Sequence, residues 1–230
     1  MVVDVRARRQ TPVVADSESG EGAASASEHS AEFEGRAGWS ARYASGQTPW
    51  DQGQPHPELV LRVERGELDA VPARRALVPG CGRGHDALFL ADASFEVTAV
   101  DFAEGVADSL APELARRGSR FVGADALAYS DEPFGLVFEH TFFCALDPRR
   151  RPEWGALVRR STLPGGLLAA IAFPADKPRE LGGPPHGTTV DDYAQALGPA
   201  FRLVVDAPLE RPVPTRDWAE RWAVFERIGG

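Results

Sequence analysis

The sequence predicts an α/β protein whose sheet is mostly parallel. Three observations carry that expectation. From Arg75 onward, short apolar runs of strand character alternate with segments of helical periodicity. A glycine-rich turn, G-x-G-x-G, begins at Gly80 directly after the first apolar run and opens a helix. Two strand patterns follow one another near the C-terminus, which suggests an antiparallel hairpin at one sheet edge.

The elements follow in order. Residues 36–45 place Trp39 and Tyr43 four apart, on one face of a helix. Residues 46–57, GQTPWDQGQPHP, are too rich in Gly and Pro for anything but loop. Residues 56–68 return to near-helical spacing through Leu59, Val60, Val63 and Leu68, with His56 capping or packing locally. A buried strand is expected at 75–79, and a helix at 84–93 with Leu88 and Ala91 inward. His85 and Asp86 are read as the start of that helix. A strand at 95–101, a helix at 103–117, and strands at 119–125 and 134–141 continue the alternation. A helix is predicted at 152–162, with Pro152 in its first turn. LPGG at 163–166 should break the chain before a strand that runs to Phe173. A short helix at 190–197 and strands at 200–210 and 220–228 complete the pattern. Apolar strands of this kind demand cover on both faces of the sheet.

Composition bounds the function. The chain has 230 residues, 43% of them hydrophobic and 26% charged, which is ordinary for a globular protein of one domain. No apolar run approaches the roughly 18 residues that span a bilayer, and no secretory leader pattern opens the chain. The expectation is therefore a cytoplasmic protein without a membrane partner. A net charge of −9 argues against a nucleic-acid partner gripped by a basic face. Residues 1–34 hold seven acids against three arginines and no Leu, Ile, Trp or Tyr. They read as a disordered acidic tail, with the working domain at 35–230. Cys81 and Cys144 are the only cysteines, too few for a disulfide framework, and no cluster has metal-ligand spacing.

The glycine loop is the most informative segment. In an open α/β sheet a ligand lies beyond the carboxyl ends of the strands. Asp101 ends the second strand, 21 residues after Gly80, where a carboxylate can accept both hydroxyls of a ribose. Asp125 ends the third, within reach of an adenine edge. The dinucleotide fingerprint wants its third glycine at His85, but Gly84 comes one residue early. Glycines at this spacing, followed by strand-end acids, suit S-adenosylmethionine better than a nicotinamide dinucleotide.

Several motifs then fall into one order: Trp39-x3-Tyr43, Thr48-Pro49-Trp50-Asp51-Gln52-Gly53, Leu77-Val78-Pro79-Gly80-Cys81-Gly82-Arg83-Gly84-His85-Asp86, Thr141-Phe142-Phe143-Cys144-Ala145-Leu146 and Gly182-Gly183-Pro184-Pro185-His186. Together they resemble the thiopurine S-methyltransferase family, in its halide and thiol methyltransferase branch, over about residues 36–228. The resemblance implies a Rossmann-like class I methyltransferase fold: seven strands, one of them antiparallel, helices on both faces and an N-terminal lid. It also implies cofactor contacts at Trp39, Tyr43, Trp50, Gly80, Cys81, Gly82, Asp101, Phe102, Asp125 and Ala126. His140 stands where the family usually has a tyrosine, and is expected to face cofactor and substrate alike. Phe142, Phe143, Phe173 and His186 complete the expected substrate side. Tyr43 replaces the second tryptophan of the family's pair, and Leu163 a lysine of L-K-P-G-G.

The chemistry implied needs no obligatory catalytic side chain. Displacement at a sulfonium methyl has a good neutral leaving group, so a soft nucleophile needs alignment and a dry pocket more than a base. The expected substrate is a small molecule or inorganic anion: a thiol, hydrosulfide, thiocyanate or halide. A neutral thiol would need deprotonation, for which His140 or His186 could serve. Thiopurines, aromatic thiols or selenium and tellurium species are the alternative substrates, and a non-catalytic cofactor sensor is the alternative class. Phe143, Cys81 and Cys144 also suit plain packing, as do Trp154, Trp218 and Trp222. Arg149–Arg151 reads as a solvated run, and a monomer is expected.

Overall fold

The computed structural model describes residues 35–229. The acidic tail expected over 1–34 lies outside the described residues. The strands are β1 (Arg75–Pro79), β2 (Glu96–Asp101), β3 (Arg120–Gly123), β4 (Phe134–His140), β5 (Thr162–Ala172), β6 (Phe201–Pro208) and β7 (Arg221–Arg227). They form one sheet in the order β3-β2-β1-β4-β5-β7-β6. Pairings from β3 through β5 are parallel, and β7 runs antiparallel to both neighbours. The terminal hairpin is real, but β7 inserts between β5 and β6, so that β6 becomes the edge.

The helices are α1 (Arg36–Ser45), α2 (Pro57–Glu64), α3 (His85–Asp92), α4 (Ala107–Arg116), α5 (Arg151–Ser161) and α6 (Val190–Leu197). Alternate residues of the central strands feed two cores, as a period of two requires. Val78, Ala99, Phe138 and Ile171 pack under α2, α3 and α4 with Leu59, Leu90 and Leu110. Leu77, Val100, Val137 and Ala170 pack on the other face with Trp154 and Leu157 of α5 and Tyr193 of α6. None of the helices among the described residues is long and apolar enough to cross a membrane.

Two local expectations change. Helix α3 buries Ala87, Leu90 and Ala91, whereas Leu88 is only partly covered. That stripe keeps i, i+3, i+4 spacing; Ala91 faces inward as expected, and Ala87 and Leu90 take the place of Leu88. LPGG does not interrupt β5. Its pairing steps from Phe134↔Thr162 to Leu136↔Leu167, so the extra residues bulge out, with Gly165 at φ +74°.

Order along the sheet reverses between β1 and β4. Such a switch point opens a crevice beyond the strand ends. The glycine loop and His140 stand on its two sides.

Candidate active site

A cavity of about 410 Å³ occupies this crevice. Its floor is the glycine loop. Gly80 has φ +61°, and a Cβ there would lie 2.4 Å from the Phe142 ring. Loop and aromatic can touch only because the residue is glycine. Asp101 holds the loop down: its Oδ2 accepts from the Gly82 amide at 2.9 Å, and its Oδ1 from Ala103 at 2.8 Å. Burial pushes the Asp101 carboxyl up, against those amide donors. Asp125 spends one oxygen on the Leu127 amide (2.9 Å) and keeps its side chain 44% exposed toward the cavity. Each carboxylate retains lone pairs for a ligand.

Helix α1 and the loop after it form the roof. No residue of α1 is fully buried. The Trp50 ring meets Trp39 edge-on at 5.3 Å and Tyr43 at 5.8 Å. The Trp50 indole N–H donates to the Tyr43 hydroxyl at 3.4 Å. Asp51 ties the roof to the floor, pairing with Arg83 at 2.8 Å and His85 at 3.0 Å. The T-P-W-D and C-G-R-G-H motifs therefore meet in space.

At the far end His140 closes β4. Its Nδ1 lies 2.8 Å from Asp86 Oδ2, and its Nε2 lies 2.8 Å from the Arg216 guanidinium. Asp86 also accepts the His56 backbone N–H at 2.7 Å. Burial would raise Asp86, but His140 and the His56 amide outweigh it and hold the carboxyl below its usual range. Arg216 lies over the Phe173 ring, 4.4 Å from its centroid, and pairs with Glu220. His56 caps α2, accepting the Glu58 amide on Nδ1 at 3.1 Å, so its proton sits on Nε2, 3.1 Å from Glu220. Burial lowers the His56 pKa, keeping the ring neutral. Burial pushes Glu220 up, yet His56 and Arg216 hold it down at about 2.

His56, His140 and Glu220 bring their ligand atoms within 4.8 Å of one another, a grouping the sequence did not suggest. It suits no metal ion. Arg216 already contacts His140 and Glu220, and His56 presents a protonated nitrogen to Glu220.

The cavity wall gathers Trp39, Tyr43, Trp50, Gly80, Cys81, Gly82, Asp101, Phe102, Asp125, Ala126, His140, Phe142 and Phe173. Two expected substrate residues do not reach it. Phe143 is fully buried, stacked on Tyr193 at 4.3 Å and against Trp154 at 4.5 Å, because the turn after β4 directs it into the core. His186 packs behind the wall, its amide bonded to the Cys144 carbonyl at 2.7 Å, and only Pro184 and Pro185 of its segment line the cavity. Burial raises the thiols of Cys81 and Cys144, so neither is a ready nucleophile.

Sequence reasoning missed Arg216, Glu220, Trp218 and Arg150. Trp218 and Arg150 line the cavity rather than serving only as packing or solvated surface. Arg151, from the same basic run, is buried against Asp192 at 3.1 Å. The available signal was the Pro-rich loop 209–220 between two short strands, since a connection that long often carries function.

A switch-point cavity floored by a glycine loop, with an acid at the end of the neighbouring strand, defines a class I S-adenosylmethionine-dependent methyltransferase. The Thiopurine S-methyltransferase family model matches residues 35–209, and the chain belongs to that family. It is 35% identical over 167 residues to "Probable thiol methyltransferase 2" of Arabidopsis thaliana, covering 70% of this chain and 72% of that one. It is 32% identical over 200 residues to "Thiocyanate methyltransferase 1" of the same plant, covering 83% and 85%. Among solved structures, the Burkholderia thailandensis 1,6-didemethyltoxoflavin-N1-methyltransferase with bound S-adenosylhomocysteine shares the fold. Its TM-score is 0.70 at 19% identity, covering 96% of this chain and 94% of that one. The chain is an enzyme that uses S-adenosylmethionine as methyl donor. Its site fits that donor: the side-chain-free cradle at Gly80, the acid at Asp101 and the aromatic roof are all present.

Proposed function

We propose that the chain methylates a small, soft nucleophile: a thiol, hydrosulfide, thiocyanate or halide. The observation that carries this reading is the end of the cavity at His140. There the buried guanidinium of Arg216, whose side chain is 6% exposed, lies over the Phe173 ring, and Phe142 and Pro185 line the same cavity. Guanidinium has five N–H donors, and Glu220 and His140 engage two of them. An apolar pocket with a fixed donor suits a compact, weakly hydrated anion. The names of the two plant relatives support the same substrate class.

Residue roles follow from position. Gly80, Cys81 and Gly82 would hold the methionine part, Asp101 and Phe102 the ribose, and Asp125 and Ala126 the adenine. Trp39, Tyr43 and Trp50 would close over them. When bound, the cofactor supplies a methyl group activated by its sulfonium. The aromatic walls would exclude water and offer π-systems that stabilise that positive charge. His140, Phe142, Phe173 and Arg216 orient the nucleophile for in-line attack.

The test is a headspace screen of iodide, bromide, thiocyanate and hydrosulfide with S-adenosylmethionine, beside a thiopurine. Volatile methyl products from at least one small nucleophile are expected. Turnover of the thiopurine alone would move the substrate class. Cofactor binding with no turnover of any of them would reject this substrate class.

A further inference from the structure

We infer that His140, oriented by Asp86, is a general base that takes the proton of a neutral thiol while Arg216 receives the thiolate charge. This deepens the reading above: the site then accepts protonated thiols as well as ready-made anions. Two contacts fix the imidazole tautomer independently. Asp86 is a carboxylate and accepts, so Nδ1 carries the proton at 2.8 Å. Arg216 can only donate, so Nε2 offers a lone pair at 2.8 Å. A buried carboxylate orienting a histidine whose other nitrogen faces the substrate is the arrangement of a histidine base. At rest that lone pair accepts the Arg216 N–H, and His140 and Arg216 both line the cavity with Phe142 and Phe173.

Charged and titratable groups face the imidazole from three elements. Asp86 faces His140 from α3, and His56 faces it edge-on from the start of α2, with ring centroids 4.9 Å apart. Arg216 and Glu220 come from the 209–220 loop and the residue before β7. Two carboxylates and one guanidinium thus stand around the imidazole.

The Arg216 N–H must leave Nε2 as the thiol proton arrives, so proton and anion holder exchange places. The thiol S–H bond breaks as an Nε2–H bond forms. A protonated Nε2 can no longer accept the Arg216 N–H, which turns to the new thiolate. The sulfur then forms its bond to the methyl carbon as the sulfonium carbon–sulfur bond breaks, its electron pair staying with the leaving sulfide. The imidazolium proton returns to solvent. Thiocyanate, an anion throughout the working pH range, needs none of this and serves as internal control.

The test compares an aliphatic thiol with thiocyanate at about pH 6.5, some two units below an ordinary thiol pKa. His140→Gln and Asp86→Asn should each lower the thiol-to-thiocyanate ratio of kcat/KM by about 100-fold, the scale of general-base catalysis. The ratio should recover as pH passes the thiol's own pKa. Asp86→Asn keeps an oxygen for the His56 amide but presents NH₂ to Nδ1, so it reverses the tautomer. Nitrogen-15 NMR of the imidazoles, with only five histidines in the chain, reads that reversal without any turnover. His140→Tyr is the fallback should the Gln variant fold poorly. Equal losses on both nucleophiles, or a wild-type His140 protonated on Nε2, would overturn the inference. A wild type inactive on both nucleophiles would sink the substrate reading instead.

Discussion

Glu139 offers the sharpest stability prediction. It is the penultimate residue of β4 and is fully buried. Its Oε1 accepts the amides of Phe142 at 2.9 Å and Phe143 at 2.8 Å, and the Tyr193 hydroxyl donates to Oε2. The carboxyl therefore shapes the turn that sets Phe142 against Gly80. Burial pushes it up to about 7 from an ordinary 4.5, despite the Tyr193 hydroxyl and the two amides. The folded chain thus keeps a proton that the unfolded chain releases between those two values. Its stabilising contribution is complete below about pH 4.5 and is lost as pH rises through 7. At about 1.4 kcal/mol per unit, the change amounts to roughly 3 kcal/mol. Glu139→Gln keeps the shape and an acceptor for the amides but cannot ionise. Urea unfolding of both proteins from about pH 5 to 8.5 isolates the residue, since Asp86, Glu220 and His56 titrate in both and cancel to first order. The wild type should lose stability relative to the variant up to pH 7 and run level above it. A difference that stays constant, or a wild type that gains, would refute the argument.

Gly80→Ala should cut cofactor affinity by tenfold or more. The left-handed backbone costs about 1–2 kcal/mol for a residue with a Cβ, and that Cβ would sit 2.4 Å from Phe142; unchanged affinity by calorimetry would remove Gly80 from the cradle. Asp101→Ala should weaken cofactor binding by roughly 10- to 100-fold, the worth of hydrogen bonds to a charged acceptor. Because the change also strips the Gly82 and Ala103 amides of their partner, Asp101→Asn should retain more of the affinity, and equal losses in both variants would deny the carboxylate its part.

The fold was readable because its information is local. Apolar strands, helical stripes and glycine turns each repeat over a few residues, so β1, α3, β2 and β4 fell close to their expected places. Errors came where tertiary packing overrode a local sign. LPGG carries every mark of a break, yet β5 absorbs it as a bulge because the pairing resumes beyond it. Leu88 was placed inward by spacing alone, whereas the floor under α3 chose Ala87 and Leu90. Of the residues that line the cavity, Gly80, Asp101 and Asp125 were legible from the glycine loop and strand ends, and Trp39, Tyr43 and Trp50 through the family resemblance. Phe143 was not separable from Phe142, since adjacent aromatics after a strand look alike until the turn held by Glu139 sends one to the cavity and the other to Trp154. Arg216 and Glu220 were invisible for another reason. Their partners His56 and His140 lie far away in sequence, and no short-range pattern records a meeting of that kind.

Asp86 shows how such a long-range meeting changes a local reading. On sequence it is an acid in the first turn of a helix, where the helix dipole favours negative charge. That role stands: it lies in the first turn of α3. Yet the carboxylate divides itself between the His56 amide and His140 Nδ1, so one side chain joins the glycine loop, the capped start of α2 and the end of β4. An alanine here would strand a buried backbone donor and release the His140 ring together. Its effect on activity would then mix a packing loss with a chemical one. Asparagine separates the two: it keeps the oxygen for His56 and changes only what His140 receives. A small stability loss in Asp86→Asn beside a large fall in thiol preference would mean that the helix start and the base share a residue but not a mechanism.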